Sequence, residues 1–167
     1  SILFSWQPCT SPTTYSDLAE GSHTFRVRAV DREQFRDPTP ATHTWFVDTV
    51  APEVTLLQPA ENAMYVHGEL ESTDEQVTRV IGSVTVVAQV LDPSPSSGVA
   101  SVTFSVDGVP VPASEVTHDA HAATWSFEWE PPGPGKNLHT IEVTAVDNAT
   151  NSASTSRTVE GIATGKP

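Results

Sequence analysis

The chain of 167 residues carries 21 acidic and 8 basic residues, which gives a formal net charge of −13 at pH 7. This length suffices for one large domain or two small ones. Binding to nucleic acid or to an anionic membrane needs clustered basic residues, so the charge argues against both kinds of partner. An acidic, soluble surface suits an extracellular protein and leaves carboxylates free to meet divalent cations.

Targeting signals and cysteines give little further information. No apolar run is long enough to span a bilayer, and the N-terminus lacks the charged-then-apolar order of a signal peptide. We therefore expect any export signal or anchor to lie outside this chain. Cys9 is the single cysteine, so it is either a free buried thiol or half of a bridge to a partner outside the chain.

The first 48 residues contain too few strands to close a sandwich. Residues 2–6 predict a strand stub, which a loop with two prolines follows. Tyr15 stands where β-sandwiches often use a tyrosine to fix a corner. Apolar and polar side chains alternate over residues 23–31 and again over residues 41–48, which predicts two strands that pack on each other.

The strand at residues 23–31 occurs twice in the chain. The first copy reads HTFRVRAVD, and residues 139–147 read HTIEVTAVD. The two copies are separated by roughly the length of a small β-sandwich, which indicates two copies of one fold. One whole copy of the fold and about half of another fit into the chain. A histidine opens both copies, which favours a structural hydrogen bond to a loop, because no nucleophile recurs beside it.

Residues 49–52 form a short, proline-containing linker between the two copies. Such a linker is too short to let two modules tumble freely, so it predicts a semi-rigid, end-to-end arrangement. The resulting division is a half-domain at residues 1–48, the linker, a complete sandwich at residues 53–160 and a tail at residues 161–167.

Residues 53–160, which contain the second copy of the repeated strand, predict about seven strands and no amphipathic helix. The strands are expected at residues 54–57, 83–91, 102–106, 125–129, 139–147 and 152–160, and Asp107-Gly108 signals a hairpin. Residues 59–76 are expected to form an irregular polar excursion. Short strands at these intervals are typical of an all-β, immunoglobulin-like Greek-key β-sandwich.

Two stretches resemble bacterial Ig-like repeat modules, which occur in tandem in large secreted and cell-surface proteins. The sequences YSDLAEGSHTFRVRAVD and DPTPATHTW make residues 1–50 similar to the C-terminal half of one module. The sequences SGVASVTFSVDG and AVD, with Asn151, make residues 51–160 similar to a complete module of another branch. Two features depart from the family: residues 32–36 replace its usual Gly-Asn turn, and the front half of the first module is missing.

The resemblance implies an Ig-like sandwich with an extracellular or cell-surface location. In the first family a cysteine on an early strand would pair with the position of Cys9, which implies a disulfide from Cys9 to a partner outside this chain. The half-module leaves two interpretations open. Either the chain is a fragment of a longer tandem array, or a neighbouring subunit completes the sandwich in trans; an open apolar sheet is otherwise an aggregation hazard.

Four carboxylates at strand and loop ends are candidates for calcium. They are Asp31, Asp48, Asp92 and Asp147. Calcium commonly stiffens tandem surface modules by gathering acidic oxygens. Aspartate is equally an ordinary turn former, and no EF-hand-like spacing occurs, so the sequence predicts no resident cofactor while leaving calcium open.

The other candidate sites each have a structural alternative. His118 and His121 could begin a zinc site, but without cysteines or a third ligand a polar turn is favoured. Trp129, beside a Pro-Gly break, could contact a sugar, although the alternating aromatics of its strand fit a core face at least as well. Asn148 begins an Asn-X-Thr acceptor for glycosylation.

No motif places a nucleophile, a base and an orienting acid together, so we predict no enzyme. The sequence predicts a non-enzymatic extracellular structural or adhesive module, a spacer or a filament-forming part of a surface protein. Its expected partners are neighbouring Ig-like modules or identical subunits, and surface polysaccharide or protein. The alternative is an accessory carbohydrate-binding module of a secreted hydrolase, which an exposed Trp129 would favour.

Overall fold

The computed structural model describes residues 5–133 and 135–164, which form thirteen β-strands and one short 3-10 helix. The chain divides into two compact units, unit 1 (residues 1–47) and unit 2 (residues 48–167). Of the strand stub predicted at residues 2–6, residues 2–4 lie outside the described residues, and Ser5 and Trp6 belong to no strand. No helix in the described ranges is long and apolar enough to cross a membrane.

Unit 1 contains an antiparallel strand pair, β1 (Gly21–Val27) and β2 (Ala41–Val47). The first strand ends earlier than expected because residues 31–36 close a turn of their own, in which Val30 bridges Arg36. The sequence predicts that Tyr15 fixes a corner of the sandwich, but no hydrogen bond of Tyr15 does so among the described residues. It is exposed, and its ring lies 6.0 Å from that of Phe25.

Unit 2 is a sandwich of a four-stranded and a seven-stranded sheet. Its strands are β3 (Glu53–Gln58), β4 (Met64–Val66), β5 (Glu69–Ser72), β6 (Thr78–Ile81), β7 (Val84–Leu91), β8 (Val99–Val106), β9 (Val109–Pro110), β10 (Thr117–Asp119), β11 (Thr124–Trp129), β12 (Lys136–Asp147) and β13 (Ser152–Ile162). The small sheet has the order β10-β11-β7-β3, and the large sheet has the order β5-β4-β6-β13-β12-β8-β9. These two sheets confirm the predicted all-β, Ig-like fold.

The second copy of the repeated strand, β12, lies in the middle of the large sheet. It pairs antiparallel with β13 on one side and with β8 on the other, so that Val143 lies opposite both Thr155 and Phe104. Alternate side chains of a strand point to opposite faces. Accordingly, Ile141, Val143 and Ala145 are fully buried, which confirms the predicted inner face.

The core lies between the two sheets and consists of the predicted alternating positions. Val84, Val86, Ala88 and Val90 of β7 are all buried. The ring of Phe104 on β8 lies 5.0 Å from that of Phe127 on β11, across the sandwich. The Asp107-Gly108 hairpin between β8 and β9 is also confirmed, since both residues have the positive φ angles that this turn requires.

The short strands were not predicted. Residues 59–76, expected to be irregular, contain β4 and β5, and β6 follows them. These strands are three or four residues long and are held by pairing: β6 lies parallel to both β4 and β13, with Thr78 opposite Val159. The strand β13 runs to Ile162, so the tail prediction is wrong for residues 161–162, and residues 165–167 lie outside the described residues.

Candidate metal centre

Three carboxylates from distant parts of the sequence meet in unit 2. Asp48 precedes β3, Asp92 follows β7 and Asp147 ends β12. The start of β3 and the end of β7 are adjacent because Glu53 lies opposite Leu91. Each carboxylate offers one oxygen within 4.8 Å of those of the other two. No described lysine or arginine forms an ion pair with any of them.

Asp48 is 8% exposed and is hydrogen-bonded to two loops of unit 2. Its Oδ2 accepts the Ser97 N–H at 2.7 Å, and its Oδ1 accepts the Val50 N–H at 3.1 Å. The backbone carbonyl of Asp48 accepts the Asn151 Nδ2 at 3.1 Å. Hydrogen bonds from Ser97 lower the pKa of the Asp48 carboxyl, because they stabilise its charged form. The carboxylate is therefore ionised at neutral pH.

Asp147 is the most buried of the three, at 1% exposure. Its Oδ1 accepts the Asn151 N–H, and its Oδ2 accepts the Asn151 Nδ2, both at 2.8 Å. One amide group of Asn151 thus joins the Asp147 carboxylate to the Asp48 carbonyl. The role of Asn151 was not predicted from the sequence, because the contact joins residues about 100 positions apart.

Asp92 leaves one oxygen without a donor. Its Oδ2 accepts the Gly98 N–H at 2.7 Å. Its Oδ1 is buried and has no hydrogen-bond partner among the described residues. A buried, unsatisfied oxygen is costly, and the cost is larger when the group is charged.

These residues fit a calcium ion by their chemistry. Calcium takes six to eight oxygen ligands, usually from carboxylates, backbone carbonyls and water. Three carboxylates that lie this close repel one another, and a divalent cation would relieve that repulsion and satisfy the free oxygen of Asp92. The three aspartates would hold the ion, and the backbone N–H groups of Ser97 and Gly98 orient two of them.

Three of the four predicted calcium candidates therefore meet, and the fourth does not. Asp31 lies in unit 1, where its Oδ1 accepts the Phe35 N–H at 2.8 Å. No cluster of three possible ligands in the described residues includes Asp31, His118 or His121. Asp119 accepts the His121 N–H at 2.9 Å, which is the polar turn that the sequence favoured over a zinc site.

Trp129 is buried, whereas the sequence offered it as an exposed residue that could contact a ligand. Its side chain is 7% exposed and belongs to the core of unit 2, and its ring meets His139 edge-on. An aromatic ring must expose a face to stack on a sugar, so the prediction of Trp129 as a ligand-contacting residue is wrong. Its even spacing with Phe127 reflects core packing.

Asn148 and Cys9 stay predictions as modification sites. Asn148 is exposed, but its Nδ2 already donates hydrogen bonds to the carbonyls of Ser97 and Gly98, at 2.8 and 2.9 Å. A glycan on this nitrogen would replace one of those two hydrogens. Cys9 is a free thiol on the surface of unit 1, so of the two possibilities for it the buried thiol is excluded.

The two repeated histidines have structural partners. His23 Nε2 lies 2.6 Å from the Ala19 carbonyl oxygen, to which it donates a hydrogen bond. His139 Nδ1 lies 2.7 Å from Asp107 Oδ2, in the turn between β8 and β9. Both contacts confirm the predicted hydrogen bond from the start of the strand to a loop. Hydrogen bonds from His139 and from the Thr140 N–H lower the pKa of Asp107.

The Asp107 contacts predict a loss of stability in acid. A carboxyl group with a lowered pKa in the folded state stabilises the fold above its unfolded pKa of about 3.8, and this contribution disappears as the pH falls through the folded value. We expect Asp107→Asn to lower the free energy of unfolding at pH 6 and to match the wild type near pH 2, as measured by urea denaturation across this range. Asp119→Asn is the control, and a constant difference at every pH would contradict the linkage.

Comparison with known proteins places the fold in a family. Residues 52–143, more than half of the chain, match the bacterial Ig domain family. No curated protein matches the chain.

Two solved structures are similar at low identity. The endo-beta-1,4-mannanase from Thermotoga petrophila is 13% identical with a TM-score of 0.49, over 70% of this chain and 21% of that one. Dimeric latent PorU from Porphyromonas gingivalis is 14% identical with a TM-score of 0.47, over 91% of this chain and 15% of that one. The chain thus spans about a fifth or less of the length of either protein.

The family match begins just before β3 and ends within β12, so it includes most of both sheets of the sandwich. The observed strand order and buried alternating positions agree with it. This chain belongs to the bacterial Ig domain family.

Proposed function

We propose that this chain is a non-enzymatic structural spacer of an extracellular bacterial surface protein, in which calcium fixes the segment where unit 2 begins. Membership of a non-catalytic Ig family supports the general class. The observation that carries the finer proposal is the position of Asp48. This first residue of unit 2 is buried, hydrogen-bonded to the loops that contain Ser97 and Asn151, and close to two further carboxylates.

A spacer needs a connection that resists bending. Two hydrogen bonds to the Asp48 carboxylate and one to its carbonyl hold the backbone of this residue against unit 2. A cation on Asp48, Asp92 and Asp147 would add a link from the junction to the ends of β7 and β12. Restricting the few rotatable bonds of a short connection stiffens it directly.

The edges of the large sheet of unit 2 favour a spacer over a filament built by strand addition at that sheet. An exposed sheet edge invites pairing with another chain unless it is short or carries charge or proline. Edge strand β9 has two residues, one of which is Pro110, and edge strand β5 carries Glu69 and Glu71. These features oppose continuous pairing along the two edges of the large sheet.

The carbohydrate-binding alternative depended mainly on Trp129. It needed an aromatic face open to solvent on unit 2, and Trp129 is buried. The other tryptophan of unit 2, Trp125, is half-buried, and His118 stacks on it with ring centroids 4.1 Å apart.

Calcium is expected to stabilise unit 2 and to order its junction with unit 1. In millimolar calcium, the midpoint of thermal unfolding of unit 2 should rise by several degrees relative to chelator, because a ligand that binds only the folded state adds to stability. Asp92→Asn should lose this response, and Asp119→Asn, which alters an aspartate outside the cluster, should keep it. The readout is circular dichroism during heating, with magnesium as the competing ion.

The junction is measured on the same sample by spin labels on Cys9 and on a cysteine introduced at the exposed Ser156. Calcium should narrow the distribution of distances between the labels. A rise in the unfolding midpoint without narrowing would show that calcium binds but that the spacer function is wrong. No calcium effect on either quantity would remove the cation from the proposal.

A further inference from the structure

We propose that unit 2 binds a second copy of this chain through one end of the outward face of its large sheet. The occupant of this surface is unit 2 of the second copy, related to the first by a two-fold axis that runs parallel to the strands. The surface lies on a sheet whose other face is already covered by the small sheet, so it is not a core face left open. The inference goes beyond the spacer function and does not depend on the cation.

Five side chains form a row, here called the outer row, across five neighbouring strands of the large sheet. Glu69 of β5 lies opposite Val66 of β4, which lies opposite Ile81 of β6. Ile81 in turn lies opposite Ile162 of β13, which lies opposite Lys136 of β12. Directly opposed residues point to the same face of a sheet, and neighbouring strands lie about 4.8 Å apart, so the outer row spans about 19 Å.

The outer row points away from the core. Tyr65, which precedes Val66, and Val80, which precedes Ile81, are both buried in the core. Alternate residues of a strand point to opposite faces, so the three aliphatic side chains of the row lie on the outside of the sheet. Each of them is half-buried against its neighbours in the row. An apolar stripe with charged ends on an outward face is typical of an interaction surface.

The two ends of the outer row carry opposite charges. Glu69 is exposed, and its side chain has no ion-pair partner among the described residues. Lys136 is also exposed, and its Nζ lies 3.2 Å from the carboxylate of Glu160. A negative charge, three aliphatic side chains and a positive charge in line are complementary to the same row turned end to end.

A two-fold axis through Ile81, parallel to the strands, produces this arrangement. It places Glu69 of each copy on Lys136 of the other, so the charge contact forms twice. It also places Val66 on Ile162 and Ile81 on its own symmetry mate. An axis along the row would instead bring like charges together. Sheets that pack face to face keep their strands within about 30° of each other, as this side-by-side arrangement requires.

The charge of unit 2 favours a second copy at this surface over contact elsewhere. Unit 2 carries 16 of the 21 acidic residues but 4 of the 8 basic ones, so two copies repel each other over most of their surface. Two of these four basic residues, Arg79 and Lys136, meet at Glu160 beside the outer row. Arg79 approaches its own symmetry mate in the dimer, where Glu160 and Glu75 neutralise its charge. The surface thus offers an equally acidic partner an apolar contact and a counter-charge.

The test is sedimentation equilibrium of the full chain, with reductant to keep Cys9 a thiol and with chelator to remove calcium. A small interface gives a weak dimer, so the wild type is measured up to about 1 mM. Glu69→Lys and Lys136→Glu should each weaken dimerisation at least about tenfold, because each variant brings like charges into contact twice. An equimolar mixture of the two variants should recover the dimer, since each supplies the charge that the other has lost.

Glu115→Lys is the matched control. Glu115 is exposed and lies in the 3-10 helix, outside both sheets. Both lysine substitutions lower the general repulsion between acidic copies by the same amount. Glu115→Lys should therefore keep or strengthen the dimer, whereas Glu69→Lys should weaken it. Ile81→Thr should also weaken the dimer, because it removes apolar contact at the two-fold axis while keeping a β-branched side chain, and its unfolding midpoint checks that unit 2 stays folded.

Three results would overturn the proposal. A wild-type chain that stays monomeric up to about 1 mM would show that the outer row does not bind a second copy. Self-association that neither charge variant changes would run through another surface. A mixture of the two variants that associates no better than either variant alone would show that the two residues do not face each other across a two-fold axis. Glu69→Lys breaks no ion pair within its own chain, so its effect is not due to misfolding.

Discussion

Val143→Asp is expected to unfold unit 2. Val143 is fully buried at the centre of β12, opposite Phe104 on β8 and Thr155 on β13. A carboxylate there would lie without a partner in the core, and such a substitution costs several kcal/mol. Since a domain of this size is stable by about 5–15 kcal/mol, the loss approaches the whole free energy of unfolding.

The change is measured by chemical denaturation followed by circular dichroism. Val143→Ala should give an intermediate loss of about 2 kcal/mol, because it removes two buried methyl groups without adding charge. Ser154→Asp is the control, since Ser154 lies on the exposed face of the neighbouring strand β13. A Val143→Asp variant with a midpoint close to the wild type would mean that β12 does not present this residue to the core.

The second large effect is expected at Arg157. This residue lies on β13 in the large sheet, and its Nη1 donates hydrogen bonds to the carbonyl of Leu56 at 3.1 Å and to the carbonyl of Pro59. Both carbonyls lie at the end of β3, so one guanidinium joins the two sheets. Arg157→Met keeps much of the side-chain volume but removes both charged donors, and we expect it to lower the free energy of unfolding by about 2–4 kcal/mol.

Arg79→Met is the matched control. Arg79 also lies on the large sheet and forms partly buried ion pairs with Glu75 and Glu160, but Glu160 keeps Lys136 as a partner when Arg79 is replaced, so we expect a smaller loss than at Arg157. Arg157→Lys should recover part of the loss, because a lysine keeps the charge and not the planar donor group. Equal effects of the two methionine substitutions in urea denaturation would show that Arg157 does not link the sheets.

The long strands of unit 2 follow from the sequence because their pattern extends over enough residues. β7 carries valine or alanine at every second one of its eight positions, and β12 repeats a strand already present at β1. Strands such as β4 and β6 have three or four residues, which is too few to distinguish a period of two from irregular chain. Their structure depends on parallel pairing with partners far away in the sequence, which no local pattern records.

The candidate metal centre could be predicted only in part. Asp48, Asp92 and Asp147 each stand at the end of a strand, and this position made them candidates together with Asp31. Which of them meet depends on the register of β3 with β7 and on the fold of β12, and these are tertiary facts. Trp129 failed for a related reason: the break after it suggested exposure, but His139 and the core of unit 2 surround its ring.

Arg157 is a further residue whose role the sequence pattern does not predict. Alternation along β13 places it among inward positions, where a charged residue contradicts the simple pattern of a strand. From the sequence alone, either the inward position of Arg157 or the alternating pattern of this strand would be rejected. The structure needs both, since the guanidinium donates hydrogen bonds to the carbonyls of Leu56 and Pro59 at the end of β3.

If the chain acts as the proposed spacer, the parallel pairing of β6 with β13 governs how unit 2 carries mechanical load. Tension applied through the chain leaves unit 2 along β13, whose last four residues lie beside Thr78–Ile81 of β6. In that geometry a pull along β13 loads the hydrogen bonds between the two strands together, in shear, and does not peel them apart one after another. At the other end, load enters at Asp48 and is taken first by its bonds to Ser97 and Asn151. Rupture force, rather than equilibrium stability, is therefore the property that these two attachment points govern.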